Sequence, residues 1–546
     1  MYTGPMPTQT DTEKDELKSV TERILASSSP KKLVVAGPGA GKTTLFRQLL
    51  DAAEGEPKER LVLTFITNLK GDLDRRLGDV SHVFTLHGYC QYLLRHSMAL
   101  RNGLSAKFRC YPGLRDLVPK DWAFLRGGKT PQFVRLMREL NCTDDEASFY
   151  LERVNYYDAV DFDDSVYRTY VQLTADKARV PEYALVLIDE FQDFNKMEAS
   201  VIDLLAESNS IVIAGDDDQA LYSRLRSASW DHIRAHYVSG HYEIFELPFC
   251  MRCPEVIVGA VNDIIAKALE GKLLNGRIPK PYRYFASVKA EDSANHPHIE
   301  LVETTVQRAN ANYFGRYIEQ CIRSIPEDEV TLAAEQNEPV AIIIGSNPYR
   351  RQVEQHLKDV GLVTAKTETD LTERQKALQI LSEDDQSNLG WRIILACGDE
   401  GVARDLIRQA NANNQQLVEV IPRAQREKVL RDAEAWAAQN ESIDFSQEAG
   451  EAIQKVAITS YEGSKGRSAQ YVLLVGVHSG ELPSNVADIK DIEICRFLVG
   501  LTRTRKKCSI LVANNAMGQF KNRSEFIAWI DPTRLREKKI DATYWT

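Results

Sequence analysis

The chain has 546 residues, of which 43% are hydrophobic and 27% are charged, and its formal net charge is −10. This length predicts three or four domains, and no apolar run approaches the roughly 20 residues that a membrane-spanning helix needs. The acidic balance excludes a strongly basic nucleic-acid binder, so any contact with nucleic acid must come from a local groove.

The first motif along the chain is a glycine-rich segment between a buried-strand pattern at 33–35 and a helix-like pattern at 45–50. Backbone N–H groups of such a loop wrap a triphosphate, and the following helix adds its dipole. We therefore predict an ATP site in which Lys42 contacts the β and γ phosphates and the Thr43 hydroxyl binds Mg²⁺. The predicted ATP-binding residues are Ala36 (where the strict pattern has glycine), Gly37, Gly39, Ala40, Gly41, Lys42, Thr43 and Thr44.

Two stretches rich in helix-period patterns interrupt the strand-like segments, and a Pro-rich and polar stretch at 276–298 indicates a passage between cores. The first helical stretch follows the early strands, and the second is charged. The predicted division is a first α/β core at 1–92 and 183–280, a helical insertion at 93–182, a second core at 281–367 and 452–546, and a reduced helical insertion at 368–451.

A second apolar strand pattern, at 184–188, ends in Asp189 and Glu190. Carboxylates at the end of a buried strand are costly unless a cation or ligand uses them. With a phosphate loop elsewhere in the chain, Asp189 is the predicted Mg²⁺ partner, and Glu190 is the predicted base that orients the attacking water. A third strand pattern, at 210–214, delivers Gln219, which we predict to contact the γ-phosphate.

Two arginines further along the chain, Arg252 and Arg503, are candidates for stabilising the charge that develops during phosphoryl transfer. An arginine supplied by a second core would couple hydrolysis to domain closure. Either arginine alone is a weak signal, because surface arginines are common.

The nine cysteines are irregularly spaced, which indicates reduced thiols rather than a disulfide framework. Cys250 and Cys253 form the one CxxC pair, which supplies half of a tetrahedral zinc site, so we predict a structural role and no zinc or iron–sulfur cluster. Together with an N-terminal segment that lacks an apolar signal region, these features predict a cytoplasmic protein.

These segments occur in the order of the helicase motifs of the UvrD/Rep/PcrA-like family of superfamily 1, and the chain resembles that family from residue 36 to residue 507. The resemblance implies two RecA-like α/β cores, each a parallel sheet of the P-loop NTPase type, with inserted mainly helical subdomains. It also implies ATP in the cleft between the cores, single-stranded DNA across their tops, 3′ to 5′ movement, and γ-phosphate contacts from Arg252 and Arg503. The further matching segments are 64–65, 85–88, 215–222, 247–252, 463–466 and 499–503.

The same resemblance implies a set of DNA contacts. Phe65 would stack on a base, although a phenylalanine at a strand end more often packs in a core. His87 would contact a phosphate or cap the following helix, and isolated arginines at 224 and 226 would otherwise be solvated. The candidate DNA-binding residues are Thr64, Phe65, Thr85, His87, Tyr222, Arg224, Arg226 and Lys465.

The chain also departs from the family pattern. No glutamine is present in 11–22, where the family has one that reads adenine, and no stacking aromatic follows Tyr222 directly, so Trp230 is the alternative for that role. In the fifth motif, Glu462 stands in place of the usual histidine, and Ser468 stands in place of the usual acidic residue. These departures concern nucleotide choice and the coupling of DNA to hydrolysis.

The leading functional hypothesis is an ATP-dependent translocase or helicase that acts on single-stranded or tailed DNA in repair or processing. The alternative is a regulatory ATPase, stimulated by DNA ends, that controls a partner nuclease or other protein subunit in an anti-phage defence system. The second insertion is smaller than that of family members with strong unwinding activity. This difference and the missing stacking aromatic favour the alternative. A degenerate binding module is the third hypothesis, and the intact motif residues argue against it.

Overall fold

Two six-stranded parallel sheets organise the molecule, as a computed structural model of residues 9–65, 67–222, 226–336, 338–363, 371–440 and 455–545 shows. We call the first sheet and its covering helices the first lobe, and the second sheet and its covering helices the second lobe. The first sheet contains β1 (Lys31–Ala36), β2 (Arg60–Thr64), β3 (His82–Thr85), β4 (Leu185–Ile188), β5 (Ile211–Gly215) and β6 (Glu243–Leu247). The second contains β7 (Ile299–Thr304), β8 (Ala341–Gly345), β9 (Val456–Thr459), β10 (Ala469–Val475), β11 (Thr504–Ala513) and β12 (Leu535–Lys539).

The two sheets have the same topology. The spatial order is β3-β2-β4-β5-β1-β6 in the first sheet and β9-β8-β10-β11-β7-β12 in the second, and the neighbouring strands pair in parallel. The central strands are continuous apolar runs such as Leu33-Val34-Val35 and Ile342-Ile343-Ile344, all fully buried, because helices cover both faces of a parallel sheet. The prediction of two RecA-like α/β cores is therefore confirmed.

Helices connect the strands and cover the sheets. Up to residue 208 they are α1 (Gln9–Ala26), α2 (Lys42–Ala52), α3 (Thr67–Leu77), α4 (Leu86–His96), α5 (Met98–Arg101), α6 (Leu114–Leu125), α7 (Phe133–Arg138), α8 (Asp144–Tyr157), α9 (Phe162–Ala175) and α10 (Lys196–Ser208). Beyond it they are α11 (Asp231–Val238), α12 (Glu255–Glu270), α13 (Ala286–Asn295), α14 (Tyr313–Arg323), α15 (Glu327–Glu335), α16 (Asn347–Asp359), α17 (Glu373–Glu383), α18 (Asn388–Ala396), α19 (Glu400–Asn413), α20 (Leu417–Val420), α21 (Arg423–Ala437), α22 (Asp491–Leu501) and α23 (Glu525–Ala528).

Helix α12 lies in the core of the second lobe. Its residues Val256 and Ile264 belong to the same buried cluster as Leu301 of β7 and Ile342 of β8. The sequence-based boundary at 280 assigned this helix to the first core, so the structural boundary differs. An amphipathic helix shows the same periodicity whichever sheet it covers, and its sequence alone therefore does not reveal its partner.

The two helical insertions form one body, which we call the helical unit: α5–α9 together with α17–α21. Their apolar side chains belong to one buried cluster, which includes Phe149 and Trp391 and continues into Leu63 and Ile188 of the first sheet. The Asp121 carboxylate joins them in the interior, with Oδ2 accepting from Arg153 Nε at 3.1 Å and Oδ1 accepting from Arg392 Nε at 2.9 Å. Further bonds across the same contact run from Arg408 Nε to the carbonyl of Phe124 (2.7 Å) and from the Tyr156 hydroxyl to the carbonyl of Gln415 (2.8 Å).

None of the helices in the described ranges combines the length and the apolar composition that crossing a bilayer requires.

Candidate active site

The phosphate loop lies at the carboxyl end of β1 and leads into α2, which begins at Lys42 and buries Leu45, Phe46, Leu49 and Leu50. Gly39 and Gly41 have φ angles of 72° and 89°, a left-handed conformation that glycine adopts without strain. At Gly39 an added Cβ would also lie 2.5 Å from the Cβ of Arg252. Both the backbone and the packing therefore require glycine at this position.

Lys42 points from the loop to the acidic end of β4. Its Nζ lies 2.7 Å from Glu190 Oε1, and Gln192 Nε2 donates to Glu190 Oε2 at 2.5 Å. Burial alone would raise the pKa of Glu190, but Lys42 and Lys465 outweigh it, and the pKa lies well below its usual range. Glu190 is therefore an anion that pairs with the phosphate-loop lysine.

Asp189 provides an observation that fits a cation. Its Oδ1 is buried and has no hydrogen-bond partner within the described part of the chain. Burial and the neighbouring Glu190 raise the pKa of Asp189 to about 7. A buried carboxylate oxygen without a donor is costly unless a cation binds it. Thr43, the other predicted Mg²⁺ ligand, lies in the first turn of α2.

Arginines complete the site from the other side. Arg503, only 2% exposed, donates from Nη2 to Gln219 Oε1 at 2.9 Å, and Gln219 Nε2 in turn donates to Asp216 Oδ2 at 2.8 Å. Arg252 Nη1 donates to the carbonyl of Thr502 at 3.3 Å. Burial and the adjacent Arg252 lower the pKa of Arg503 to about 10, so its guanidinium stays charged at neutral pH.

The site forms where opposite edges of the two sheets meet. The first sheet contributes its carboxyl edge, with the loops that follow β1, β4 and β5. The second sheet contributes its amino edge, since Lys465 lies just before β10 and Arg503 immediately before β11. A cleft between two cores thus joins the phosphate loop, the acidic pair and a distant arginine.

Comparison with known proteins finds similarity to one group of helicases. A profile of the UvrD/REP helicase N-terminal domain matches residues 17–118 and 138–237. The ATP-dependent DNA helicase PcrA of Staphylococcus aureus is 26% identical over 307 residues, which cover 48% of this chain and 40% of that protein. The ATP-dependent DNA helicase UvrD1 of Mycobacterium tuberculosis is 26% identical over 317 residues, covering 48% of this chain and 41% of that protein. Over these residues the chain is similar to the UvrD/REP helicases. The matches span about two fifths of the length of these relatives.

The candidate DNA-binding residues of the early segments 64–65 and 85–88 are largely buried. Thr64 is fully buried, and Phe65, 2% exposed, packs edge-on to Phe194 and lies beneath the guanidinium of Arg226 at 5.1 Å. Thr85 caps α4 by accepting from the Gly88 amide, and His87 Nε2 lies 3.3 Å from Glu198 Oε1. In this conformation Phe65 stacks on protein rather than presenting an open face.

Tyr222 links the lobes. Its hydroxyl donates to the carbonyl of Glu462 at 3.0 Å, and its ring lies 5.2 Å from that of Phe65. Arg224 lies outside the described residues. Trp230 lines a groove of about 460 Å³ between the lobes, whose other wall includes Lys490 and Asp491.

Several residues of the site were not assigned to it by sequence. Lys465, a candidate DNA contact, is 3% exposed, and its Nζ lies 2.6 Å from Asp193 Oδ2 and 3.8 Å from Glu190 Oε2. Lys280 Nζ lies within 2.9 Å of Asp216, Asp217 and Asp218. The Tyr282 ring covers Gly37, and its hydroxyl donates to Cys250 Sγ at 3.2 Å. The run of acidic residues at 216–218 was the one available signal that cations converge here.

Proposed function

We propose that the chain is an ATP-dependent translocase and helicase that moves 3′ to 5′ on single-stranded DNA in DNA repair or processing. The observation that carries this proposal is the meeting of Lys42, Glu190 and Arg503 at one cleft between two parallel sheets. The relatives PcrA and UvrD1, both described as ATP-dependent DNA helicases, support it.

In the proposed reaction, ATP binds in the cleft. Lys42 then binds the β and γ phosphates, and its ion pair with Glu190 breaks. Glu190 is then free to orient the attacking water, and Gln219 contacts the γ-phosphate. Mg²⁺ held by Thr43 and Asp189 would neutralise charge on the β and γ oxygens. Phosphoryl transfer is accelerated mainly by such positioning and by preorganised charge.

Arg503 and Arg252 supply the positive charge that the transition state needs. Arg503 bonds to Gln219, the residue that we propose to contact the γ-phosphate. Bound ATP would engage Arg503 through the γ-phosphate and hold the two lobes together, and loss of the phosphate after hydrolysis would release it. Alternating closure and opening of two lobes that both contact the strand would move the protein along DNA.

Steady-state hydrolysis by the full chain tests the proposal, with no DNA and with single-stranded, blunt duplex and tailed duplex DNA. We expect single-stranded and tailed DNA to stimulate hydrolysis and Lys42→Ala to abolish it. Glu190→Gln should lower kcat by about 10²–10⁴-fold while ATP still binds, because it removes a general base. Glu22→Gln, an exposed surface carboxylate, is the matched control.

A hydrolysis rate that does not change when DNA is added, or that is retained by Lys42→Ala, would rule out this function. Direction is measured by displacement of streptavidin from biotinylated oligonucleotides. A 3′ to 5′ motor clears the block from the 5′ end and leaves a block at the 3′ end in place.

The packing of the second insertion supports a second candidate, a DNA-end-stimulated ATPase that regulates a partner nuclease in an anti-phage system. Helices α17–α21 are held against the first insertion through the buried Asp121–Arg392 pair, as expected for a unit that does not swing to open a duplex. Strand-displacement assays separate the two functions, because a sensor hydrolyses ATP at DNA ends but displaces little strand.

A further inference from the structure

Lys465 crosses from the second lobe into the catalytic acidic cluster of the first. It follows the short helix Glu462–Ser464, and its ammonium is almost completely buried. Three groups of the first lobe surround it: Asp193 Oδ2 at 2.6 Å, Glu190 Oε2 at 3.8 Å, and the carbonyl oxygen of Gln219, which accepts a hydrogen bond from it. Charge-assisted bonds of this kind are about twice as strong as neutral ones.

These contacts bear on the backbone that presents Glu190. Glu190 has a φ of 55°, a left-handed conformation that is unfavourable for a residue with a side chain. The next three residues form a single helical turn, Phe191–Asp193, and the amide of Asp193 donates to the Glu190 carbonyl at 3.0 Å. Such strain persists only where surrounding contacts hold it. The bond from Lys465 to Asp193 holds the far end of that turn.

The contacts of Lys465 gain importance when a nucleotide binds. In the arrangement described here, Lys42 Nζ is the nearest cation to Glu190, at 2.7 Å. Phosphates compete for Lys42, and a phosphate-loop lysine that binds them leaves the acidic pair. Lys465 is then the remaining ammonium beside Glu190, within the described residues, and it reaches Glu190 only while the lobes are together.

A continuous set of contacts joins Lys465 to the early motif residues. Its Nζ lies 5.9 Å from the centre of the Tyr222 ring, which packs on Phe65, and the Arg226 guanidinium lies 5.1 Å from the centre of the Phe65 ring. The Tyr222 hydroxyl also bonds to the backbone of Glu462, three residues before Lys465. These contacts connect the aromatic groups to the segment that carries Lys465.

We infer that Lys465 is a positioning residue for hydrolysis rather than a DNA phosphate contact: by holding Asp193 and the Gln219 turn, it fixes Glu190 for attack only when the two lobes are closed. The inference rests on the proposed ATP-hydrolysing function of the same cleft. It assigns to the second lobe two separate contributions, Arg503 toward the phosphate and Lys465 toward the carboxylates.

Four variants of the full chain test it: Lys465→Met, Lys465→Gln, Lys465→Arg and Asp193→Asn. We expect Lys465→Met to lower kcat at saturating single-stranded DNA by about ten- to a hundredfold, with KM for ATP within about threefold of the wild type. Lys465→Arg should recover most of kcat, because it restores the charge. Lys465→Gln keeps a donor for the Gln219 carbonyl without the charge and should resemble Lys465→Met.

Two further measurements separate positioning from other roles. Because Lys465 acts through Asp193, the double variant Lys465→Met/Asp193→Asn should be no slower than the slower single variant, as expected for residues that act as a unit. Fluorescence anisotropy should give a Kd for a single-stranded oligonucleotide within about threefold of the wild type, since a lost phosphate contact would weaken binding. Thermal unfolding identifies any variant that does not fold, and Lys465→Gln then replaces Lys465→Met.

Four outcomes would overturn the inference. The first is a kcat within about twofold of the wild type for Lys465→Met and Lys465→Gln. The second is a fold-decrease in kcat for the double variant that equals the product of the decreases for the two single variants. The third is a tenfold loss of DNA affinity for Lys465→Met with a normal kcat at saturating DNA, which would identify Lys465 as a DNA contact. A wild-type chain without DNA-stimulated hydrolysis overturns the proposed function as well, whereas normal wild-type hydrolysis with unaffected variants overturns this inference alone.

Discussion

In the first lobe, β1 runs into the glycines of the phosphate loop, whereas in the second lobe the corresponding strand, β7, runs into the polar segment 305–312 without a glycine. The fourth strands differ in the same way, since β4 ends in Asp189 and Glu190 and β10 ends at Val475, before Gly476. The second lobe instead places its functional cations before its strands. The same strand order is thus proposed to serve two tasks. The first lobe binds the triphosphate at the carboxyl edge of its sheet, and the second lobe supplies cations from the amino edge of its sheet.

The largest expected effect tests this division. Arg503→Ala should lower kcat by about 10³-fold while ATP binding is nearly unchanged, because a guanidinium supplied by a second domain acts mainly on the transition state. Lys42→Ala should instead abolish binding of a fluorescent ATP analogue. Arg503→Lys should not rescue kcat, since an ammonium lacks the planar fork that bonds Gln219 and a phosphate.

The exposed Arg323 of the second lobe provides the control, and Arg323→Ala should leave both quantities unchanged. If Arg503→Ala weakened ATP binding as severely as Lys42→Ala, the two lobes would not differ in task as described.

A smaller effect concerns the helical unit, in which the insertions of the two lobes meet. Asp121→Asn would leave Arg153 and Arg392 buried without an anion, and breaking a buried ion pair in this way costs about 3–5 kcal/mol. Urea unfolding followed by tryptophan fluorescence can report it, because Trp122, Trp391 and Trp436 lie in this unit.

Asp145→Asn is the matched change on the surface, where Asp145 pairs with Arg126 and both are more than half exposed. It should cost less than about 1 kcal/mol. Equal shifts of the unfolding midpoint for Asp121→Asn and Asp145→Asn would show that the buried pair does not hold the insertions together.

The smallest expected effect concerns base recognition by the first lobe. No glutamine is present in 11–22, and the nearby Glu13 and Glu16 bond to the Ala286 amide and to Arg283. We expect kcat/KM for ATP and GTP to differ by less than about tenfold, the equivalent of roughly 1.4 kcal/mol. A preference for ATP above about a hundredfold would show that other side chains read the base.

Much of the fold was predictable because buried parallel strands are continuous apolar runs, as at 33–35, 184–188 and 340–344. The chemistry of Lys42, Asp189 and Glu190 was predictable because the residue types and their strand-end positions are local features. The γ-phosphate roles of Arg503 and Arg252 were predicted from the order of motifs that the chain shares with the family. The structure places both arginines at the cleft.

Other features depend on contacts between distant segments. Lys465 was assigned to DNA because its motif accompanies DNA-contacting segments, and nothing near it in sequence reveals Asp193 as its partner. The second-lobe location of α12 depends on which sheet its apolar side covers. The union of the two insertions depends on Asp121 and Arg392, which are 271 residues apart.

The shared core of the helical unit has a consequence for synthesis on the ribosome. Helices α5–α9 are complete at Ala175, but the helices that cover their apolar side begin only at Glu373, about 200 residues later. At a translation rate of about 5–20 residues per second, the uncovered surface persists for roughly 10–40 s. The nascent chain would therefore depend on chaperones most strongly during that interval, well before its last strands emerge.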